Sequence, residues 1–292
     1  MTSLRLRSLH NPGVPVALRL GDVDLLAFAI SGVASFVMIP SYRACFDLGH
    51  CPYEAASLDH VFLTHVHQDH ALGVFRHHAL RQMNGSPLAN VYAPVESVDA
   101  LRAAFVAIRA LEGRGDHEPL PVLHGVKAGD EIELSRERRV RVFDAEHRIA
   151  SRAYTVVESR REPLPEWRDA TSEARREARM RGETVSEVHD VAAFTYIGDS
   201  TIATLERHPE VGASEILFIE ATHIAPTSSE MSAKWGHTHL DELIDLMRRA
   251  PETFASRHIV LKHFSTRYSR EQIGSALEAI PEGIRRRVAA LV

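Results

Sequence analysis

Cysteine is nearly missing from this chain: its 292 residues contain only two, Cys45 and Cys51. Their spacing fits neither a zinc knuckle nor a disulfide framework, so a reducing compartment is expected and sulfur says nothing about the chemistry. Charge of one sign is missing as well. The 34 basic and 39 acidic residues are mixed along the chain, for a formal net charge of -5. No global field therefore draws in nucleic acid, and any polyanion must be held locally. The opening "MTSLRLRSLHNPGVP" lacks an apolar stretch followed by a small-residue cleavage site, so no signal peptide is read there and the cytoplasm is the expected location. The apolar run from Leu25 to Pro40, "LLAFAISGVASFVMIP", falls short of the roughly 20 residues a membrane span needs, and Ser31-Gly32 interrupts it. Two strands joined by a tight turn explain it better. No self-similarity is visible at solenoid periods.

What is present is a globular composition, 45% hydrophobic, in which strand-like and helix-like segments alternate. After the expected hairpin, "RACFDLG" and "HVFLT" read as strands, and residues 70 to 83 as a helix. "ANVYAP" precedes a helix whose apolar residues recur at three and four. "DEIEL", "RRVRVFDAEH" and "AYTVVES" read as strands, followed by "AAFTYIGDS" and "EILFIEATH". The helix "HLDELIDLMRRA", the strand "HIVLKHF" and a helix from Arg270 close the chain. The expectation is one α/β domain over residues 1 to 292. Residues 159 to 190 differ: they are densely charged, carry two prolines, and contain one helical piece around Ser172 to Met180. They read as a surface insertion.

The chemistry sits in "THVHQDH", Thr64 to His70, directly after the apolar run "HVFL". Side chains two apart on an extended loop point the same way, so His65 and His67 can grip one ion. Asp69 and His70, on the turn into the helix, reach a second. Imidazole suits zinc, and carboxylate oxygen completes a zinc or a manganese site. So short a loop cannot close two sites, and three further candidates lie where α/β enzymes place functional groups, at strand ends: His147, Asp199 and His263. Each alone is more often structural; together they supply the missing number, with Asp199 free to bridge. His77 and His78 fall on the following helix, where a solvated face is the simpler reading. His10, His50, His60, His117, His124, His189, His208 and His258 lack such a context.

These residues resemble the metallo-β-lactamase fold superfamily and, within it, the ribonuclease Z (tRNA 3'-processing endonuclease) family in its short plant-type form. The histidine motif with "FDLG" upstream carries the first resemblance. "YIGDS" around Asp199, "FIEATH" with Glu220, "GHTHLDE" with His237, and above all "KHFSTRY" from Lys262 to Tyr268 carry the second. The resemblance implies a four-layer αβ/βα sandwich, with two mixed β-sheets face to face and helices outside. It implies two Zn2+ ions, with Mn2+ as the alternative. His65, His67 and His147 would hold one ion, Asp69, His70 and His263 the other, with Asp199 between them and Asp47 bracing the loop. A water activated by both ions would attack the phosphodiester, oriented by Asp69. His237 would donate a proton to the leaving oxygen while Glu220 holds its tautomer, and Ser265 and Arg267 would contact phosphate. Precursor tRNA is the implied substrate and a homodimer the implied assembly.

Departures from the family pattern bear on the substrate. The glycine-rich opening is absent, and residues 159 to 190 stand where a long glycine-proline arm is expected. They offer instead Arg160, Arg161, Arg168, Arg175, Arg176, Arg179 and Arg181, interleaved with acidic residues. Small phosphodiesters or cyclic nucleotides are therefore the alternative substrates. A thioester or lactone hydrolase and a non-catalytic RNA-binding module are the further alternatives.

Overall fold

The computed structural model describes residues 14–292, so His10 and almost all of the opening stretch lie outside the described residues. Among the described residues, fourteen strands form two sheets in chain order. The first holds β1 (Val16–Leu20), β2 (Val23–Ile30), β3 (Ala34–Ile39), β4 (Ala44–Phe46), β5 (His60–Phe62), β6 (Asn90–Pro94) and β7 (Val122–Val126). The second holds β8 (Glu131–Ser135), β9 (Arg138–Ala145), β10 (Ser151–Pro163), β11 (Ser186–Ile197), β12 (Ile216–Glu220), β13 (His258–Lys262) and β14 (Val288–Ala290). Each sheet is mixed: antiparallel through β1–β4 and β8–β11, parallel from β4 to β7 and from β11 to β14.

Helices α1 (Gln68–Ala71), α2 (Gly73–Met83) and α3 (Val98–Leu111) follow strands of the first sheet, and α4 (Ser172–Met180) lies between β10 and β11. In the second half come α5 (Ala203–Arg207), α6 (Ser229–Lys234), α7 (Leu240–Arg249), α8 (Arg270–Leu277) and α9 (Glu282–Arg285). The period of two along the strands divides the core. On β12, Ile216 and Phe218 face the other sheet, while Leu217 and Ile219 face the helices; on β3, Val37 and Ile39 face inward and Phe36 and Met38 outward. Between the sheets, Phe46 meets Phe194 at 4.9 Å and Phe62 meets Tyr154 at 5.3 Å between ring centroids. Burying each such ring stabilises the fold by about 1.5–3 kcal/mol. Outside, α7 buries Leu240, Leu243, Ile244 and Met247 on one stripe, starts at a His239–Glu242 capping box, and stops before Pro251. The result is the expected four-layer sandwich.

The expected hairpin within Leu25–Pro40 is β2–β3, turning at Gly32, whose φ of 71° suits glycine. Sequence patterning misses β1, β7 and β14, which are short strands, each paired on one side only. One reading is corrected. His77 is not solvated but buried, with Nε2 donating to the carbonyls of Ala55 and Leu58 at 3.0 and 3.2 Å. It faces inward because α2 packs on the loop before β5, which sequence spacing does not reveal.

The topology places the site. The carboxyl ends of β4 and β5 in one sheet, and of β11, β12 and β13 in the other, come to the same edge of the sandwich. Strand β10 starts at that edge, where Arg152 N–H donates to the Thr64 carbonyl at 2.8 Å, and runs away from it. Residues 159 to 190 continue this hairpin at the far end, from the Ser159–Asp190 pair to Pro163–Ser186, with α4 at the tip.

Candidate metal centre

The histidine loop leaves β5 and enters α1 with His67 at its N-cap. His147 follows β9, Asp199 follows β11, and His263 follows β13. The seven expected ligands come together at this edge in overlapping groups, and Asp199 also forms a group with His237 and His263. His65, His67, His147 and Asp199 present ligand atoms within 4.8 Å of one another, as do Asp69, His70 and His263. His65 Nε2 and His147 Nε2 lie 3.0 and 3.3 Å from His67 Nδ1; His70 Nε2 lies 3.4 Å from His263 Nε2. Asp199 stands between them. Its Oδ2 is 3.9 Å from His65 Nε2, its Oδ1 is 3.2 Å from His70 Nε2, and Oδ1 is buried without a hydrogen-bond partner.

Convergent imidazole nitrogens and an orphaned carboxylate oxygen suit divalent cations: in a buried place, such donors are satisfied by a metal better than by one another. The outward nitrogens support the same conclusion. His70 Nδ1 meets Asp47 Oδ2 at 2.7 Å, His147 Nδ1 donates to the Gly236 carbonyl at 2.7 Å, and His65 Nδ1 lies 3.0 Å from the Thr64 hydroxyl. His263 Nδ1 lies 2.9 Å from the Thr222 hydroxyl. Each contact orients a ring and leaves the other nitrogen to face the centre.

Two hydroxyl relays support the centre from opposite sheets. Thr64, after β5, donates to Asp47 from both its hydroxyl and its backbone N–H, the latter at 2.7 Å. Thr222, after β12, joins Glu220 to His263 in the same way. The chain bends to achieve this. Asp47 and His263 hold φ of 53° and 66°, left-handed values that a non-glycine residue adopts at a cost of roughly 1–3 kcal/mol. Gly198 lets β11 pass so close that an added Cβ would sit 2.2 Å from the Thr64 hydroxyl. Sequence reading did not single out Thr64 and Thr222; both stand just past a strand, Thr64 next to His65 and Thr222 two residues after Glu220, which is the one signal available.

Glu220 and His237 are also brought to this edge. Glu220 is fully buried at the end of β12; its Oε1 lies 3.0 Å from His237 Nδ1 and accepts from Ser200 N–H at 2.7 Å. Burial works against a charged His237, yet Glu220 and then Asp199 raise its pKa to about 9. Burial also opposes charge on His70, but Asp199 and Asp47 lift it to about 10. Burial would raise Asp69, which is instead held near 2 by its hydrogen bond with His263 and by the charge of His70. Asp69 Oδ2 further accepts from Gly32 N–H at 2.8 Å, which ties the β2–β3 turn to the loop. Ser265 and Arg267 lie on the loop after β13, Ser265 half-buried and Arg267 exposed.

A sandwich of two mixed sheets with a shared histidine–aspartate centre at one edge defines a class of metal-dependent hydrolase folds. The model of the beta-lactamase superfamily domain matches residues 40–264, and the chain belongs to that superfamily. More particularly, the chain is similar to tRNase Z TRZ1 of Arabidopsis thaliana, 25% identical over 278 residues that cover 94% of this chain and 97% of that one. In fold it is similar to the metallo-beta-lactamase fold protein YhfI of Bacillus subtilis, with a TM-score of 0.59, 12% identity, and 90% and 93% of the two chains covered. The short form of human tRNase Z gives a TM-score of 0.57 at 18% identity, covering 90% and 92%.

Proposed function

We propose that this chain is a metal-dependent endonuclease that removes 3' trailers from precursor tRNA. The observation that carries the reading is the Glu220–His237 pair set against Asp199, a buried carboxylate that lies near histidines of both ligand groups. Near full-length similarity to a tRNase Z supports it. His65, His67 and His147 would hold one ion and Asp69, His70 and His263 the other, with Asp199 common to both; two zinc ions are the expected complement. When bound, such ions supply a water of lowered pKa and polarise the phosphodiester.

The chain's own residues do the remaining work. Asp69, kept anionic, orients the attacking water or takes its proton. His237, held protonated at Nδ1 by Glu220, presents its other nitrogen to the leaving 3' oxygen and donates a proton. Ser265 and Arg267 receive the phosphate oxygens.

Residues 159 to 190 act in this proposal as a reduced substrate arm on one catalytic domain. Arg161, Arg175 and Arg179 line a cavity of about 320 Å3 there with Ser172 and Ser186. The tip points away from the chain's own ligands, which supports service to a second copy in a homodimer. Free, buried Cys45 and Cys51 support a reducing compartment such as the cytoplasm. The deciding experiment incubates the purified protein with 3'-extended precursor tRNA plus zinc or manganese. Cleavage at the trailer junction is expected; none, alongside turnover of bis(p-nitrophenyl) phosphate, replaces the RNA reading with a small-diester one. Metal content per chain and mass in solution test the two ions and the dimer.

A further inference from the structure

The turn after α6 carries three consecutive residues with three different contacts. Gly236, at φ 82°, lends its carbonyl to His147 Nδ1 at 2.7 Å, and His237 meets Glu220 at 3.0 Å. The residue before them, Trp235, has no part in either pair. Its half-buried indole lies against the guanidinium of Arg267, whose Cζ is 5.3 Å from the ring centroid. The His223 ring, 5.1 Å from Trp235 and 5.5 Å from His237, stands between the indole and the acid.

Arg267 is exposed, and its guanidinium forms no ion pair with a carboxylate among the described residues. Its backbone, by contrast, is tied down. Ser265 N–H donates to the Thr222 carbonyl at 3.0 Å, Arg267 N–H to Ser265 Oγ at 3.4 Å, and the Tyr268 and Thr227 hydroxyls meet at 2.6 Å. What the backbone leaves undetermined is the long side chain, which loses considerable rotamer entropy on being ordered. A planar cation resting on an indole gives up that freedom in advance while its N–H edge stays open to an anion.

We propose that Trp235 is a positioning residue: it holds the Arg267 guanidinium at the mouth of the site, where it grips a non-bridging oxygen of the scissile phosphodiester. The inference rests on the phosphodiesterase reading above and adds to it the residue that pre-orders the clamp. A non-bridging oxygen is gripped in the substrate as well as in the transition state, so the effect belongs to KM more than to kcat.

The test measures KM, kcat and metal content for Trp235→Leu, Trp235→Phe, Arg267→Ala and the Trp235→Leu/Arg267→Ala pair. Precursor tRNA and bis(p-nitrophenyl) phosphate are both used as substrates. One cation–π contact is worth roughly two- to thirtyfold, so Trp235→Leu is expected to raise KM about tenfold with a smaller change in kcat. Trp235→Phe keeps most of the affinity, and Trp235→Leu adds nothing once Arg267 is alanine. An unchanged KM in Trp235→Leu, additive losses in the double variant, or metal loss shared by Trp235→Phe would overturn the proposal. If the wild type leaves tRNA intact but the KM effect persists on the small diester, the tRNA reading falls and the clamp stands. Inertness of the metal-loaded wild type toward both substrates defeats the phosphodiesterase reading, and the clamp with it.

Discussion

Residues 64–70 and residues 159–190 are both crowded with side chains that bind or carry charge, and the fold treats them oppositely. In the first, His65 and His70 are fully buried, and each has an outward nitrogen set by a named partner, so a change at either position displaces something specific. In the second, Arg161, Arg168, Arg176, Arg179 and Arg181 are exposed; Arg181 pairs with its neighbour Glu183, and such solvated pairs contribute little. The difference teaches where to look for chemistry. A polar group in a dry place must be satisfied, so its position carries information, whereas one in water is nearly interchangeable.

Substitutions can break this contrast at several strengths. Asp199→Ala removes the buried carboxylate that stands between His65 and His70, and metal content measured by mass spectrometry should fall together with turnover to background. His237→Asn should keep its metal, yet lose about a hundred- to ten-thousandfold in kcat, the range for one general acid. His77, buried neutral and shifted by burial to about 4, binds fewer protons folded than unfolded. Its stabilisation is therefore present above about pH 6.5 and is lost as pH falls through about 4, by at most about 3 kcal/mol. Urea midpoints across that window check it, and His77→Leu should flatten the slope. Asp47→Asn weakens the support of His70 and is expected to cost about ten- to a hundredfold in metal affinity by chelator competition. Replacing residues 164–185 with a short turn should change turnover of bis(p-nitrophenyl) phosphate by less than about twofold while weakening tRNA binding.

Much of the candidate metal loop was legible because its donor side chains are close in sequence. His65, His67, Asp69 and His70 needed only a strand before them and a helix after, and the apolar run through Leu63 supplied the strand. Glu220 and His237 were legible through family motifs rather than spacing, since nothing local to "FIEATH" demands a partner seventeen residues away. Thr64 and Thr222 escaped notice because a threonine just past a strand looks like any other strand-end hydroxyl. His77 was misread because the face of α2 that packs inward is chosen by the loop before β5 and not by the helix. Trp235 had no signal at all: its meaning depends on Arg267, which the chain brings close only after β13 and its loop are formed.

The sequence by itself determined most of the segments that become strands and helices, through apolar residues repeating at two or at three and four, but not the edge strands β1, β7 and β14. It also determined which side chains have donor atoms to offer. The tertiary structure alone decided which of those donors share a site. That decision follows from two sheets bringing the carboxyl ends of β5, β11, β12 and β13 to one edge, where burial forces each polar group to find a partner or an ion.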